Sequence, residues 1–464
     1  NLKLKFMKTH HYIFLSTIAF IVLFYNENVG LNLGVLGVLY SVLTLIKTQE
    51  KNRSKTFFML FTTSILSSMA FAWFGDFSSF LALVVSLLLL SFRSKNKRLK
   101  SLFLVPVFVV NFFTFICRVF SFNEWFPKSE KSGFWKKIFA FVFIPFVFVA
   151  TFFGIYAMGS NHFASLFTNY ELDINLWQIF CLGALGFFIA FNFFNFVVEK
   201  QIYKQNHFLD NDFKKEDTIQ KQTFSFLDLD SERISGLISL ISLNILLIFF
   251  IVTYNYEQFY ETIKSPNQLS SETHERVNAV IMSIIMAILV IMFYFKSNFN
   301  FDSKAGALKI FAKIWIFLNA VLVLSAMLKN TEYISSYGFT YKRLGVYAFL
   351  LLSLIGLILT FYKIQFKKKN AFLFNSMSWC FYGMVLVCSF INWGGMITFQ
   401  NMKRSDFAIN YHLNTISFSE KYLLKYAEEK KNSKLEKEVL ERIKAKKSST
   451  VLSKILYYET IKTK

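Results

Sequence analysis

Long apolar segments recur along the whole chain of 464 residues, and they restrict its possible folds more than any other feature. Crossing the hydrocarbon core of a bilayer takes about 20 apolar residues in a helix, because each backbone N–H and C=O must find its partner within the segment. Hydrophobic residues form 54% of the sequence. The apolar runs are 10–27, 31–47, 57–73, 76–92, 101–120, 138–158, 177–198, 236–254, 277–296, 308–328, 343–363 and 371–395. The sequence therefore predicts an all-α fold, a polytopic transmembrane helical bundle of eleven or twelve spans.

The fifth run, 101–120, has two possible interpretations. It contains Pro106, Asn111 and Arg118, and a proline removes a backbone donor and kinks a helix. Basic residues also lie on both sides of it, in 93–100 and 128–137. A hairpin or an interfacial helix is therefore as compatible with this run as a full crossing. If the run turns back, the chain crosses the membrane eleven times.

Lys and Arg are unevenly distributed between successive loops. Basic residues concentrate in the N-terminal segment and in loops 47–55, 93–100, 199–235, 297–307 and 364–370, whereas 159–176 has none. Because short cytoplasmic loops accumulate Lys and Arg, we expect the N-terminus in the cytoplasm and the C-terminal tail on the outer side of a bacterial inner membrane. The lysines of the tail favour the cytoplasm instead, but long tails have little weight in this rule.

The same pattern divides the chain into four predicted parts. They are an N-terminal transmembrane region 1–120, a cytoplasmic linker 121–137, a main transmembrane body 138–395 and a soluble charged tail 396–464. Between Lys421 and Lys447 lysines alternate with glutamates, which is typical of a solvated helix. The net charge of +22 lies largely in short loops, where it contacts membrane lipids. We expect no nucleic acid as a partner, because no soluble segment interleaves basic and aromatic residues.

Residues that usually perform catalysis or bind metals are sparse. His274-Glu275 begins a zinc-protease motif, but position 278 is Asn, so the second histidine is missing. No phosphate-binding loop, dinucleotide fingerprint or nucleophile elbow is present. The cysteines lie in apolar runs and are expected to be buried small hydrophobes: Cys117, Cys181, Cys380 and Cys388. We predict no catalytic residue, no metal and no cofactor.

Amide side chains stand inside several apolar runs, namely Asn192, Asn195, Asn319 and Asn392. Such groups usually join helices through interhelical hydrogen bonds. In the alternative interpretation, Asn192, Asn195 and Asn319 line a polar cavity for a substrate. The sequence is compatible with both.

Three short motifs point to a family. They are His274-Glu275-x-Val277-Asn278, Trp315-x-x-x-Asn319, and Tyr333-x-x-x-Tyr337-Gly338-Phe339-Thr340-x-x-Arg343; a fourth element runs from Asn392 to Asn401. Together they resemble a bacterial multi-pass membrane family described as a domain of unknown function, DUF4173, and its relative DUF4153. The resemblance covers roughly 135 to 425 and implies a fold, not a reaction.

The third motif is typical of a turn at the outer side of the membrane that the helices cross. Gly338 permits a tight bend, Thr340 can cap the next helix, and tyrosines are favourable at headgroup depth. A functional alternative is an outer cluster, composed of His274, Glu275, Arg276, Glu332, Tyr337 and Arg343. We predict that this cluster either clamps two helical hairpins or binds an anionic headgroup or a protein partner.

Three classes of function are compatible with the sequence. The first is a membrane scaffold or accessory subunit with a protein partner, which a charged helical tail of this length favours. The second is a transporter or channel for a small or lipid-like substrate, for which broken helices would be expected. The third is a membrane-embedded enzyme, with the outer cluster as its sole candidate for an acid or base. We rank them in that order.

Overall fold

The computed structural model describes residues 8–126, 139–160, 163, 175–214, 228–260, 266–296 and 298–462. These ranges are helical and contain no strand. The helices of the first half are α1 (Thr9–Phe24), α2 (Leu31–Lys47), α3 (Lys55–Phe74), α4 (Phe77–Lys95), α5 (Leu104–Phe113), α6 (Phe115–Phe120), α7 (Phe122–Trp125), α8 (Ile144–Gly159), α9 (Leu176–Phe194) and α10 (Lys200–Gln205).

The second half is built in the same way. Its helices are α11 (Leu229–Tyr260), α12 (Pro266–Tyr294), α13 (Gly306–Tyr337), α14 (Tyr341–Gln365), α15 (Asn370–Cys388), α16 (Trp393–Asn401), α17 (Ile409–Asn414), α18 (Glu420–Glu429), α19 (Ser433–Lys447) and α20 (Leu456–Glu459). Within the described ranges, nine helices are long and apolar enough to cross a membrane, and α1 and α2 are shorter apolar helices. The predicted all-α polytopic bundle is confirmed.

One predicted span ends at the wrong residue. The run 371–395 was expected to be a single helix, but α15 ends at Cys388 and α16 begins at Trp393. The break forms because the side chain of Asn392 accepts a hydrogen bond from the Gly395 N–H at 2.7 Å and so caps α16. The hydropathy of a segment does not predict such a cap, so the break was not expected.

The chain divides into two compact units that interleave in sequence. One, the small unit, comprises residues 1–28, 42–47 and 106–197, and the other, the main unit, comprises 29–41, 48–105 and 198–464. The core of the main unit is formed by apolar side chains of α11 to α14, including Leu240, Ile284, Trp315 and Leu350.

In the small unit, residues 107–126 turn back on themselves. Asn111 exchanges two hydrogen bonds with the backbone of Val197, at 2.7 and 2.8 Å, just beyond the end of α9. Phe115 packs on Phe188, one to two turns deeper, at a ring distance of 4.7 Å. Phe126 then stacks on His10, at the start of α1. The segment thus begins beside the end of α9 and finishes beside the start of α1. This geometry favours the hairpin interpretation of run 101–120.

The C-terminal tail is a small helical domain of the main unit with its own core. Apolar residues of α18, α19 and α20 meet there, together with Phe74 from the end of α3. They include Leu423, Ala427, Leu435, Val439, Ile443, Tyr457 and Tyr458. The segment before α20 crosses the start of α2, where the Leu31 N–H donates to the Lys454 carbonyl at 2.9 Å. The tail is therefore packed on the ends of membrane helices.

The two ends of the helices in the main unit differ. The tail lies against Gly30, Phe74 and Gly338, and we call this the tail end. The loops around 93–100, 298–305 and 366–369 lie at the opposite, basic end. There Lys363, fully buried in α14, donates to the carbonyl of Phe295 at 2.7 Å. The tail and these basic loops therefore occupy opposite ends of the same helices.

Candidate functional site

A turn between α13 and α14 is the centre of the contact between tail and membrane helices. Gly338 has a φ of +80°, a conformation that favours glycine. The hydroxyl of Thr340 accepts a hydrogen bond from the Arg343 N–H at 3.3 Å and caps α14. Both local features agree with the interpretation of the motif as a turn.

Arg343 stabilises this turn from within. Its guanidinium lies 4.0 Å from the centre of the Tyr333 ring, a cation–π contact. Its Nη1 donates to the Tyr337 carbonyl at 2.9 Å and also to that of Gly338. The carbonyls at a helix C-terminus have no partner within the helix. The side chain of Arg343 therefore supplies the hydrogen bonds and the positive charge that this end of α13 needs.

Asn401 joins the tail to the turn. Its Oδ1 accepts from the Phe339 N–H at 2.7 Å, and its Nδ2 donates to the Phe339 carbonyl at 2.9 Å. Nδ2 also lies 3.1 Å from Nε2 of His412, whose Nδ1 lies 2.9 Å from the hydroxyl of Thr398. Since Nδ2 of Asn401 is a donor, Nε2 of His412 is the acceptor and Nδ1 carries the proton of the neutral ring.

Arg404 adds a second attachment to the end of α13. It donates to the carbonyls of Ser335 and Ser336 at 2.5 and 2.6 Å, and it pairs with Asp406 at 2.8 Å. We call the residues of this contact the joint: Tyr333, Phe339, Arg343, Thr398, Asn401, Arg404 and His412. Asn401 and His412 are buried, so the joint is a packed hydrogen-bonded structure.

The comparison with protein families bears directly on this region. The model of a domain of unknown function, DUF4153, matches residues 55–424. The chain belongs to the DUF4153 family. Comparison with curated proteins and with solved structures found no match. The matched segment contains the whole joint and ends within α18, so α19 and α20 of this family member lie beyond it.

The residues of the predicted outer cluster have different surroundings. Arg343 and Tyr337 lie in the turn, whereas Glu332 pairs with Lys329 at 3.1 Å. His274, Glu275 and Arg276 lie in α12, but their side chains are outside the described residues. A binding role for the cluster stays a prediction. Sequence reasoning did not assign a role to Asn401 or His412, although Asn401 ends one of the motifs that carried the family resemblance.

Three of the four amides inside the apolar runs, those of Asn192, Asn319 and Asn392, have hydrogen-bond partners. Nδ2 of Asn319 donates to the Trp315 carbonyl of its own helix at 2.8 Å, and Asn392 caps α16. In the small unit, Oδ1 of Asn192 lies 3.5 Å from Nη1 of Arg118, whose Nη2 donates to the carbonyl of Asn195. The side chain of Asn192 and the backbone carbonyl of Asn195 thus hold the buried guanidinium of Arg118 in the hairpin.

The expectation of buried cysteines is wrong. Cys117 and Cys181 are exposed, and Cys380 and Cys388 are half-buried. An apolar run predicts membrane insertion, but it does not tell a lipid-facing position from one that faces other helices. Within the described residues, no group of three or more His, Cys, Asp or Glu side chains could hold a metal ion.

Attachment of the tail should depend on pH through His412. Burial lowers the pKa of this imidazole from 6.5 to about 4. The unfolded tail therefore takes up a proton below pH 6.5, whereas the folded tail does so only near pH 4. We expect the free energy of unfolding of the tail to be constant above pH 6.5. Between pH 6.5 and pH 4 it should fall by about 1.4 kcal/mol for each unit by which the pH is lowered. Hydrogen exchange of α18 amides between pH 7 and 5, corrected for intrinsic rates, measures the change.

A His412→Gln variant provides the control, because glutamine does not titrate. Burial raises the pKa of Glu420, which acts in the opposite direction, since its contribution is lost as pH rises. Glu420 is present in both proteins, so the difference between their pH profiles isolates His412. Identical profiles would contradict the prediction.

Proposed function

We propose that this DUF4153 protein is an integral membrane scaffold or accessory subunit that presents its C-terminal domain to a protein partner. The observation that carries the proposal is the joint, because Asn401, Arg404 and Arg343 fix the tail to helix ends by directional hydrogen bonds. A domain held in this way keeps one orientation relative to the membrane. Preorganisation of this kind lowers the entropy cost of binding a partner.

The exposed surface of α19 is the face that we assign to the partner. Leu435, Val439 and Ile443 point into the tail core. The other side of the helix exposes three lysines and one glutamate: Lys434, Lys437, Lys444 and Glu441. A helix with one face packed and a charged face free is suited to recognition of an acidic surface. This face lies on the domain that the joint positions.

We further propose that the tail lies outside the cytoplasm, in a bacterial inner membrane. The support is the separation of the tail from the loops that carry Arg93, Lys97, Lys367, Lys368 and Lys369. Short loops rich in Lys and Arg stay in the cytoplasm, so the other end of these helices is the outer one. On the same rule the basic N-terminal segment is cytoplasmic.

Purification from native membranes in mild detergent tests the proposal. We expect a partner to co-purify in a fixed ratio, and the double variant Lys434→Glu, Lys437→Glu to lose it. Lys51→Glu with Lys55→Glu makes the same charge change at the basic end and should retain the partner.

Labelling tests the side of the membrane on which the tail lies. A Ser448→Cys variant, in a chain without its native cysteines, should react with an impermeant maleimide in intact spheroplasts. A cytoplasmic tail or equal retention by both double variants would contradict the proposal.

Transport is the second candidate, and the buried Arg118 favours it. An ionisable side chain at membrane depth often marks an ion pathway, and here it sits in a hairpin with a break at Thr114. Purified protein that lacks a partner but holds a small molecule beside Arg118 would favour transport over the scaffold.

A further inference from the structure

A cavity of about 600 Å³ opens at the basic end of the main unit. Three segments that are distant in sequence line it: the end of α4 with the loop that follows, the region from α10 to Asn211, and the first half of α15. The lining residues include Arg93, Lys97, Arg98, Lys100, Tyr203, Asn206, Asp210, Asn375 and Trp379. Its volume is within the range of small-ligand sites.

Hydrogen bonds between the three segments hold the walls of the cavity. Asn206 accepts from the Lys100 N–H at 2.9 Å and donates to the Arg98 carbonyl at 3.0 Å. Nδ2 of Asn375 donates to the Leu209 carbonyl at 2.8 Å and to Oδ1 of Asn211 at 2.7 Å. These contacts use backbone atoms and amide side chains, so the shape of the cavity does not depend on the charged ends of Lys97 and Arg98.

The charge of the lining is strongly unbalanced. Arg93, Lys97, Arg98 and Lys100 bring four cationic side chains, whereas Asp210 is the one carboxylate among the lining residues, and it pairs with Lys100 at 3.5 Å. Arg93 uses Nη1 to hold the carbonyls of Lys97 and Leu99, at 2.6 and 3.0 Å. A cluster of like charges is unfavourable by itself, and it is stabilised when an anion binds.

The depth of the cavity indicates what kind of anion fits. Trp379 is nine residues from the start of α15, which places it about 13 Å along the helix at 1.5 Å per residue. The lining therefore reaches from the charged loop to Trp379, and Trp and Tyr are favourable at the level of the lipid headgroups.

We propose that this cavity binds a phosphate-bearing headgroup, with Arg93, Lys97 and Arg98 around the phosphate. The guanidinium groups of Arg93 and Arg98 suit phosphate, because their N–H groups match its oxygen atoms in pairs. Basic pockets between membrane helices are suited to anionic lipid headgroups, and a free phosphate ester has the same chemistry. The site is separate from the joint, which lies at the tail end.

The test uses the full chain in nanodiscs. Native mass spectrometry measures retention of phosphatidylglycerol against phosphatidylcholine, and calorimetry measures inorganic phosphate and glycerol 3-phosphate. We expect the double variant Lys97→Gln, Arg98→Gln to weaken binding by about tenfold or more, since it removes two charge-assisted contacts. Lys51→Gln with Lys55→Gln removes the same charge from exposed positions at the same end and should bind as the unmodified protein does.

The arms of the test also identify the source of the phosphate. Retention of phosphatidylglycerol alone assigns a lipid, whereas calorimetric binding of glycerol 3-phosphate assigns a soluble ester, and both support the cavity. Equal loss in the two double variants would overturn the proposal, because it would show attraction to the surface as a whole. Absence of binding by all of these probes would overturn it too. Unchanged thermal unfolding of both double variants excludes misfolding as the cause.

Discussion

Replacing Asn401 by alanine should release the tail from the membrane helices. The variant leaves the N–H and the carbonyl of Phe339 and Nε2 of His412 without their partner. Each buried polar group left unsatisfied costs about 1 to 3 kcal/mol, so we expect a loss of about 4 kcal/mol in the free energy of unfolding of the tail. Hydrogen exchange of the amides in α18 and α19 measures it, because these helices then open about a thousand times more often.

Gln400→Ala is the matched control, since the neighbouring side chain is half-exposed and its Oε1 accepts one long hydrogen bond, from Lys403 at 3.4 Å. It should change exchange by less than about threefold, as expected for surface substitutions. If Asn401→Ala and Gln400→Ala behaved alike, the joint would not be what holds the tail. The membrane helices should keep their protection in both variants, because the core of α11 to α14 contains neither residue.

Replacing Gly394 by alanine should also loosen the tail. A Cβ atom at this position would lie 1.8 Å from the carbonyl oxygen of Ser417 and 2.8 Å from the hydroxyl of Tyr341. The first of these is a backbone atom, so the new methyl group fits only if α16 and the segment before α18 move apart. Overpacking that forces such backbone shifts typically costs about 1 to 3 kcal/mol, and occasionally more. We expect the tail to become sensitive to trypsin at its exposed lysines.

Gly345→Ala is the control for the intrinsic effect of the substitution. A Cβ at Gly345 in α14 has nothing within 4 Å, and alanine is favoured over glycine within a helix by about 1 kcal/mol. This variant should therefore be as stable as the unmodified protein or more so. Resistance of Gly394→Ala to trypsin, equal to that of Gly345→Ala, would show that α16 does not pack against the tail as described.

Features set by short stretches of chain were predictable. The spans follow from hydropathy, because the membrane requires helices of a certain length and polarity. The turn at Gly338 and the cap at Thr340 were equally accessible, since both depend on residues within one motif. One proline and the basic residues on either side of run 101–120 likewise made a hairpin one of its two possible interpretations.

Features that depend on distant pairs were not predictable in this way. Asn401 forms hydrogen bonds with Phe339, 62 positions away in the sequence. The sequence around either residue does not identify the other as its partner. The basic cavity joins segments near 97, 206 and 375, and its basic loop was interpreted only as a sign of orientation. The cysteines show the same limit, since a run of apolar residues does not say which side faces lipid.

The attachment of Lys454 to Leu31 has a consequence for how the protein is made. Synthesis proceeds from the N-terminus, so α2 and α3 are inserted long before the segment that covers their ends exists. Those ends stay uncovered until the chain has been translated past Lys454. Closure of the tail over Gly30 and Phe74 is then a late step of assembly, and it requires that α2, α3 and the turn at Gly338 already stand in place.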